Sequence, residues 1–356
     1  MRFGNHKLVI SNDQDVGLRE RQEDYFGFWT TEDNRGRVLT ALLVLADGMG
    51  GLEGGDAASV VAVDTFIAAM RKSDPTKPVS TRFETAARMA NAEVHGIAGR
   101  TRKGIGSTLV ALYLTPDEYC WTSIGDSVLY RIRGGVIERL NEDHNLGARL
   151  DRQIQRGEIT PREAAAREEE RDYLTSNLGL EEIPEIELSS PTPLLPGDRF
   201  VLASDGLSDT LCMGKIKDIV SSSAPDGLSP KLVEAALGLG NPRQDNISIV
   251  TASIEHGASL QKISLLTAAT LSLIAPLIYL ILSAITDNAG ETSPATPDGG
   301  PLPARTIDTE TAERMPKDTA AAPPQVVEGN VTIDAGTVDA GKEEEADTLH
   351  ITRGKR

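Results

Sequence analysis

The pattern of apolar and polar positions divides the chain into three parts. Residues 1–256 alternate between short apolar runs and turn-forming residues, residues 263–286 contain no charged residue, and residues 287–356 contain no Phe, Tyr or Trp. Apolar runs that recur with turn signals between them are typical of a folded domain. We therefore predict a globular domain over residues 1–256, which a short linker, residues 257–262, joins to the other two parts.

Apolar runs of strand length follow one another closely in the first part. They cover residues 38–46, 107–114, 119–124, 127–132, 136–140, 200–203 and 247–254. Gly134 and Gly135 stand between two of these runs and indicate a two-residue hairpin turn. Strands that are consecutive in sequence favour antiparallel pairing over repeated strand–helix–strand units, so we predict sheets that are largely antiparallel.

Helical patterns lie between the strand runs. Residues 57–70 form one candidate, and residues 83–97 carry apolar side chains at alternating steps of four and three, which is one face of a helix. A capping box that begins at Thr81 is expected before the second helix. Thr160 followed by Pro161 is another helix start signal. The predicted fold class is α+β, an α-β-β-α sandwich of two antiparallel-rich sheets flanked by helices.

The second part of the chain is a candidate membrane helix. As a helix, residues 263–286 would reach roughly 35 Å, which matches the hydrocarbon core of a bilayer. The alternative is a buried core helix, but soluble helices of this length are rarely apolar on every side. Lys262 precedes the segment and Asp287 follows it. This charge bias predicts a single-pass protein of the cell membrane, with a cytoplasmic domain and with membrane lipid as a partner.

The third part lacks the apolar residues that a core needs. Residues 287–356 are rich in Pro, Ala, Thr and acidic residues, which predicts a disordered tail on the extracytoplasmic side. A short partner-binding motif within the tail is an open alternative. The whole chain has a net charge of −17. This charge argues against nucleic acid as a partner, because binding to a phosphate backbone needs a basic surface.

Carboxylates stand at or near the ends of several predicted strands, often with Gly or Asn behind them. The five places are Glu23-Asp24, Asp47-Gly48, Gly125-Asp126, Asp205-Gly206 and Asp245-Asn246. A single Asp-Gly is most often a surface turn, but five such places indicate a cluster. Carboxylates that converge must be neutralised, and hard divalent cations do this through oxygen ligands. A glycine behind the Asp lets the backbone approach the ion.

The same residues lie in an ordered series of motifs between residues 10 and 254. The series includes RERQED at residues 19–24, ADGMGG at 46–51, GIGSTLV at 104–110, IGDS at 124–127, ASDGL at 203–207 and DNIS at 245–248. One such motif alone would be a weak signal. In this order, the chain resembles the metal-dependent protein phosphatases of the 2C type, the PPM family, in their bacterial form.

The resemblance implies a metal centre and a phosphate-binding residue. The cofactors would be two Mn²⁺ or Mg²⁺ ions, or three as in bacterial relatives, and the implied ligands are Glu23, Asp24, Asp47, Gly48, Asp126, Asp205 and Asp245. Asp47 would bridge the two main ions, and Asp126 would help to hold the third. Arg19 would bind the substrate phosphate. Catalysis is assigned on this basis to Asp47 and Arg19.

The implied function is that of a protein serine/threonine phosphatase anchored in the membrane. Phosphoserine and phosphothreonine would be hydrolysed by direct attack of a water that bridges the two ions. The partners would be phosphorylated proteins, among them Ser/Thr kinases and their substrates. The alternative is a catalytically silent pseudophosphatase that binds phosphoproteins, and a metal-dependent nuclease is disfavoured by the charge. We expect His144 to brace the structure rather than to act as an acid.

Overall fold

The computed structural model describes residues 1–50, 54–101, 104–257 and 346–350. The chain divides into two compact units, and the described residues belong to the first of them. The predicted membrane helix over residues 263–286, nearly all of the linker and most of the tail lie outside the described residues. Within the described ranges, no helix is long and apolar enough to cross a membrane.

The described chain contains fourteen strands and seven α-helices. The strands are β1 (Arg2–Phe3), β2 (His6–Asp15), β3 (Asp24–Glu32), β4 (Arg37–Met49), β5 (Gly106–Ser107), β6 (Leu109–Leu114), β7 (Glu118–Ile124), β8 (Val128–Arg133), β9 (Val136–Arg139), β10 (Glu187–Leu188), β11 (Thr192–Pro193), β12 (Arg199–Ala203), β13 (Ile247–His256) and β14 (Ala346–His350). The helices are α1 (Gly55–Lys72), α2 (Val79–Thr101), α3 (Leu146–Gln155), α4 (Pro161–Ala165), α5 (Asp205–Ser208), α6 (Met213–Ser222) and α7 (Leu228–Leu237).

The strands form two antiparallel halves that meet at one short strand. One half has the order β10-β7-β6-β4, with β3 also paired to β4 and β14 paired to β3; β5 and β11 add short pairings to β4 and β7. The other half has the order β2-β13-β12-β8-β9. Strand β1 joins the halves, because it pairs antiparallel with β2 and parallel with β4. The predicted antiparallel pairing is therefore present, but β1 joins the two halves into one hydrogen-bonded sheet.

Alternation along β4 explains why its long apolar run is buried on both sides. Leu42 and Val44 belong to a core cluster that includes Phe66 of α1 and Phe83 of α2. Their neighbours Leu43 and Leu45 belong to a second cluster, which includes side chains of β12 and β13. Successive side chains of a strand point to opposite faces. One face of β4 therefore packs on helices and the other packs on the second half of the sheet.

The same alternation in β12 places side chains against a second layer of helices, on the outer face of the other half of the sheet. Phe200 and Leu202 join the cluster between the two halves, whereas Val201 and Ala203 pack with side chains of α6 and α7. Helices thus cover both outer faces of the paired sheets. The predicted α+β class is confirmed, and the layers follow the predicted order of helix, sheet, sheet and helix.

Several local predictions differ from the structure. Helix α2 begins at Val79, before Thr81, so the predicted capping box is wrong, whereas the box at Thr160 is present with Glu163. Strand β2 was not predicted, because polar residues interrupt its apolar pattern. Strand β3 was not predicted either, although its residues 25–29 are apolar apart from Gly27. Residues 346–350 form β14 within the predicted disordered tail, and their backbone pairs with that of residues 28–32.

Candidate active site

The register of β3 and β4 brings two of the predicted carboxylates together. Asp24, the first residue of β3, is paired with Asp47 near the end of β4. The Gly48 backbone N–H donates to the Glu23 carbonyl over 3.1 Å. Residues directly opposite each other in a sheet point to the same face. Both carboxylates therefore lie on one face, at the end of the β3–β4 pair.

The other half of the sheet contributes at the corresponding edge. Asp205 follows β12 and begins α5, and Asp245 lies two residues before β13. These strands are antiparallel neighbours, with Ala203 paired to Ile249. Asp126 lies in the turn before β8, where Gly125 has a φ of 98° that suits glycine.

These side chains converge on one cleft. A cavity of about 390 Å³ is lined by every predicted site residue except Asp24: Arg19, Glu23, Asp47, Gly48, Asp126, Asp205 and Asp245. Asp24 is buried, and its Oδ2 accepts a hydrogen bond of 2.7 Å from the Ser204 hydroxyl. The structure therefore places all eight predicted residues in or directly behind a single cleft.

Burial and mutual repulsion perturb the carboxylates of this cleft. Burial, followed by the charges of neighbouring aspartates, raises the pKa of Asp47 and that of Asp205 well above the usual range. Burial raises the pKa of Asp24 to about 7, although the hydrogen bond from Ser204 opposes this rise. Burial and the charge of Asp143 raise the pKa of Asp126 to about 6. The cleft is thus a site of strong unneutralised negative charge when the carboxylates are ionised.

The donor set fits a hard divalent cation by its chemistry. The buried Oδ1 atoms of Asp24 and Asp205 have no hydrogen-bond partner. A Cβ on Gly48 would stand 2.0 Å from the Gly55 carbonyl oxygen, so the glycine is needed for the close approach of two backbones. Carboxylate and carbonyl oxygens are the ligands that Mg²⁺ and Mn²⁺ prefer.

The spacing of a metal site is not preformed. Within the described residues, no group of three or more His, Cys, Asp or Glu side chains is arranged to hold a metal ion. Asp245 instead forms an ion pair with Arg19, and like-charged carboxylates repel one another. That Asp47, Asp205 and Asp245 share a cation therefore stays a prediction.

Arg19 lies at the mouth of the cleft on the loop that joins β2 to β3. Its side chain is 58% exposed. Asn246 holds this loop, since its Nδ2 donates to the carbonyls of Val16 and Arg21, each over 2.9 Å. The Asn246 Oδ1 accepts from the Glu23 N–H over 2.7 Å. We did not predict a role for Asn246, although its place directly after Asp245 was the signal that could have indicated it.

Hydroxyl groups beneath the cleft were also not predicted. Thr108 Oγ1 accepts from the Asp47 N–H over 2.9 Å and lies 2.7 Å from the Ser127 hydroxyl. Ser204 Oγ, which donates to Asp24, accepts from the Ser248 N–H over 3.0 Å. Each of these hydroxyls lies within three residues of a motif carboxylate or glycine. This proximity in sequence is the signal that could have indicated their role.

His144 has the structural role that we expected. It is 1% exposed, and its Nδ1 accepts from the Gly125 N–H over 3.2 Å. Its carbonyl also accepts from the Thr175 N–H over 2.7 Å. Burial lowers its pKa, which favours the neutral form. The ring holds the Asp126 turn, and the backbone carbonyl of the same residue holds the segment after α4.

A second cleft adjoins the first and shares Arg19, Asp126 and Asp205 with it. Its volume is about 610 Å³. It adds Tyr130, Asp143, Asp209 and further residues to the lining. Asp143 forms an ion pair with Arg139. Asp143 belongs to the motif series, in Asp143-His144-Asn145, but we assigned it no role, and Tyr130 and Asp209 lie outside the motifs.

Comparison with known proteins places this arrangement in a family. The family model described as protein phosphatase 2C matches residues 19–235. Protein phosphatase PhpP of Streptococcus pneumoniae is 31% identical over 257 residues, which cover 70% of this chain and 98% of PhpP.

Solved structures show the same similarity. The serine/threonine phosphatase of S. agalactiae has a TM-score of 0.61 and 25% identity, and the match covers 70% of this chain and 100% of that chain. The catalytic domain of the serine/threonine protein phosphatase PstP, in complex with two manganese ions, has a TM-score of 0.54 and 27% identity over 70% of this chain and 100% of its own. From the family match, the similarity to PhpP and the convergent carboxylates, we conclude that this chain belongs to the protein phosphatase 2C family.

Proposed function

We propose that this protein hydrolyses phosphoserine and phosphothreonine in proteins with the help of Mn²⁺ or Mg²⁺. Membership of the 2C family makes it a protein serine/threonine phosphatase. The metal requirement is supported by the two manganese ions in the PstP complex. The observation that carries the proposal is the convergence of Asp47, Asp205 and Asp245 with Arg19 on one cleft.

The residues of the cleft have separate tasks in this reaction. Glu23, Asp47, Asp205 and Asp245 would hold two cations, and Asp126 would contribute to a third. When bound, such ions activate water and offset the negative charge of the phosphoryl group. Arg19 would bind the phosphate through its planar guanidinium group, which suits bidentate contact with phosphate oxygens.

Positioning residues complete the site. Asn246 keeps Glu23 and the Arg19 loop in place, and Ser204 orients the Asp24 carboxylate. Phosphorylated proteins are the proposed substrates, including Ser/Thr kinases and the proteins that those kinases modify.

The decisive experiment is hydrolysis of a phosphothreonine peptide with and without Mn²⁺. We expect Asp47→Asn and Asp205→Asn to lower kcat by at least about a thousandfold, since they remove charge that the cations need. Asp218→Asn is the matched control, because Asp218 is an exposed surface carboxylate. Circular dichroism would show whether each variant is folded. Full activity in either cleft variant would disprove the mechanism, and a folded wild-type protein with no turnover would favour the silent pseudophosphatase.

We also propose that residues 263–286 anchor the protein in the cell membrane, with the domain on the cytoplasmic side and the tail on the other side. This proposal rests on the uncharged sequence of that segment. Pairing of β14 with β3 is incompatible with a single crossing, because it would bring residues 346–350 back to the domain.

Cell fractionation with a tag after Arg356 tests the anchor. Supporting results are recovery in the membrane fraction and a tag that external protease can reach. A chain that ends at Gly257 is the control and should leave the membrane fraction. Recovery of the full chain outside the membrane fraction would disprove the anchor, and a tag that is protected in intact cells would favour the pairing of β14 with β3.

A further inference from the structure

A pocket rich in arginine lies beside α3. The cavity has a volume of about 450 Å³ and is lined by Arg149, Arg152, Gln153, Arg156, Glu158, Thr175, Pro184 and Glu185. Its three arginines follow at steps of three and four along α3 and its C-cap. Side chains at these steps share one face of a helix, where like charges repel. In a chain with a net charge of −17, such a group of arginines calls for an explanation.

Carboxylates lie close to two of the three arginines of the pocket, and Glu185 is a further carboxylate of its lining. Arg152 donates to Glu142 over 2.7 Å, and Arg156 is 3.9 Å from Glu158. Arg149 is exposed and, in the part of the chain that the structure describes, forms no ion pair. The pocket therefore keeps at least one guanidinium group that is available to a ligand.

The helix itself explains two of the arginines but not the third. Arg152 and Arg156 lie at the C-terminal end of α3, where positive charge is favourable to the helix dipole. Arg149 lies near the N-terminal end, where the dipole disfavours positive charge. The helix dipole therefore does not account for Arg149 as it does for the other two arginines.

The arginine pocket and the catalytic cleft are separated by a single segment of chain. Tyr173 and Leu174 line the catalytic cleft, and Thr175, the next residue, lines the arginine pocket. Consecutive Cα atoms are only 3.8 Å apart. Leu174 also forms a β-bridge with Asn145, the residue that caps α3. The catalytic cleft and the arginine pocket therefore have this segment as a common wall.

We propose that the arginine pocket binds a second phosphate group of the substrate, a role that rests on the proposed phosphatase function. The preferred substrates are then protein segments with two phosphorylated residues, one in each site. A phosphate monoester carries a charge of about −1.5 to −2 at neutral pH and offers three acceptor oxygens. The pocket's guanidinium groups can bind these oxygens through charge-assisted hydrogen bonds.

The test compares peptides with one and with two phosphates. Each peptide contains the same phosphothreonine, and a series adds a phosphoserine two to eight residues away on either side. For the best spacing we expect kcat/KM to be about tenfold higher than for the singly phosphorylated peptide, mainly through a lower KM. Arg149→Glu and the double variant Arg149→Glu/Arg156→Glu should remove this gain and leave hydrolysis of the singly phosphorylated peptide unchanged.

Arg162→Glu is the matched control. Arg162 is exposed on α4 and does not line the pocket, so this variant has the same change in charge and should keep the tenfold gain. The proposal is wrong if the double variant keeps the gain, if Arg162→Glu loses it equally, or if wild-type protein shows no gain at any spacing. A further result would also contradict the proposal. If inorganic phosphate changes the rate of hydrolysis by wild type but not by Arg149→Glu, and the two peptides never differ, the pocket binds free phosphate rather than a phosphorylated residue of the substrate.

Failure of the proposed function gives a different result. In that case the wild-type protein hydrolyses neither peptide, and fluorescence anisotropy of labelled peptides measures binding directly. Tighter binding of the doubly phosphorylated peptide to wild type and to Arg162→Glu, but not to the double variant, would support the pocket. Equal binding by all three proteins would overturn it.

Discussion

The catalytic cleft and the arginine pocket differ both in charge and in the way that the chain builds them. The cleft is lined by carboxylates from the ends of strands that are far apart in sequence. The pocket takes its arginines from one helix and its C-cap, within eight residues of chain. The cleft therefore depends on long-range strand register, whereas the pocket depends on helix periodicity. Changes to the backbone packing should affect the first site strongly, and changes to charge and salt should affect the second.

Among the substitutions outside the carboxylates of the cleft, the largest effect is expected from Gly48→Ala. Its Cβ would stand 2.0 Å from the Gly55 carbonyl oxygen, and a backbone atom cannot move aside as a flexible side chain can. We expect a loss of activity of more than about a hundredfold, because ligands around Asp47 would shift, and a loss of about 2 kcal/mol in the free energy of unfolding. Phosphopeptide hydrolysis and urea unfolding measure these effects.

Gly96→Ala is the control for this substitution. A Cβ on Gly96 would meet no atom within 4 Å, and alanine is the better helix former, so α2 should be unchanged or slightly more stable. Wild-type activity in Gly48→Ala would contradict the dependence of the cleft on close backbone packing.

Asn246→Ala should have the next largest effect. It removes three hydrogen bonds that hold the loop between Val16 and Glu23. We expect kcat to fall by about ten- to a hundredfold and the Mn²⁺ concentration for half-maximal activity to rise. Asn34→Ala, at an exposed turn position between β3 and β4, should change neither value. An unchanged metal requirement in Asn246→Ala would show that the loop is held without this residue.

Asp24→Asn should change how the stability of the metal-free protein depends on pH. Burial raises the pKa of Asp24 in the folded state to about 7, above its unfolded value near 4. The folded state therefore binds the proton more tightly than the unfolded state. The stabilisation of the folded state by this proton is complete below pH 4 and is lost as the pH rises through 7. In EDTA, Asp24→Asn should exceed wild type in Tm by a few degrees at pH 8.

The difference in Tm between Asp24→Asn and the wild-type protein should shrink at pH 5, where the Asp24 carboxyl group of the wild-type protein is largely protonated. Asp218→Asn should follow the wild-type curve at both pH values. If Asp24→Asn were less stable than wild type at pH 8, the buried charge would not be the unfavourable element that the structure indicates.

The smallest effect concerns salt. Salt screens exposed charges more than buried ones, and the arginine pocket is open to solvent while the carboxylates of the cleft are largely buried. Raising NaCl from about 50 to about 500 mM should reduce the gain for doubly phosphorylated peptides severalfold. Hydrolysis of the singly phosphorylated peptide should change by less than about twofold. Equal salt sensitivity of both peptides would remove the distinction between the two sites.

Much of the local structure could be predicted from the sequence. The run over residues 38–46 predicted most of β4, and the capping signal at Thr160 marked the start of α4. The carboxylates could be identified because each stands in a short motif beside an apolar run. Strand β2 was missed, since Asn12, Asp13 and other polar residues interrupt its pattern, and β3 was missed because Gly27 divides its short apolar run. Their pairing with β13 and β4 overrides the weak local signal.

Other features could not be predicted because they depend on contacts between distant residues. The bond from the Glu23 N–H to Asn246 joins residues 223 positions apart, and the bond from Ser204 to Asp24 joins residues 180 apart. A local pattern carries no information about which distant residue will accept a hydrogen bond. The Arg152 and Arg156 charges were visible in the sequence, but only the fold showed that they line a cavity next to the catalytic cleft.

The sequence by itself determined which residue types are available for chemistry, the class of the fold and the acidic character of the candidate site. These properties follow from composition, periodicity and short motifs, which act within a few residues. Only the tertiary structure decided that carboxylates from both halves of the sheet meet in one cleft, and that Thr175 separates this cleft from a group of arginines. Strand register and the packing of α3 decide these placements, and both arise from contacts across the whole domain.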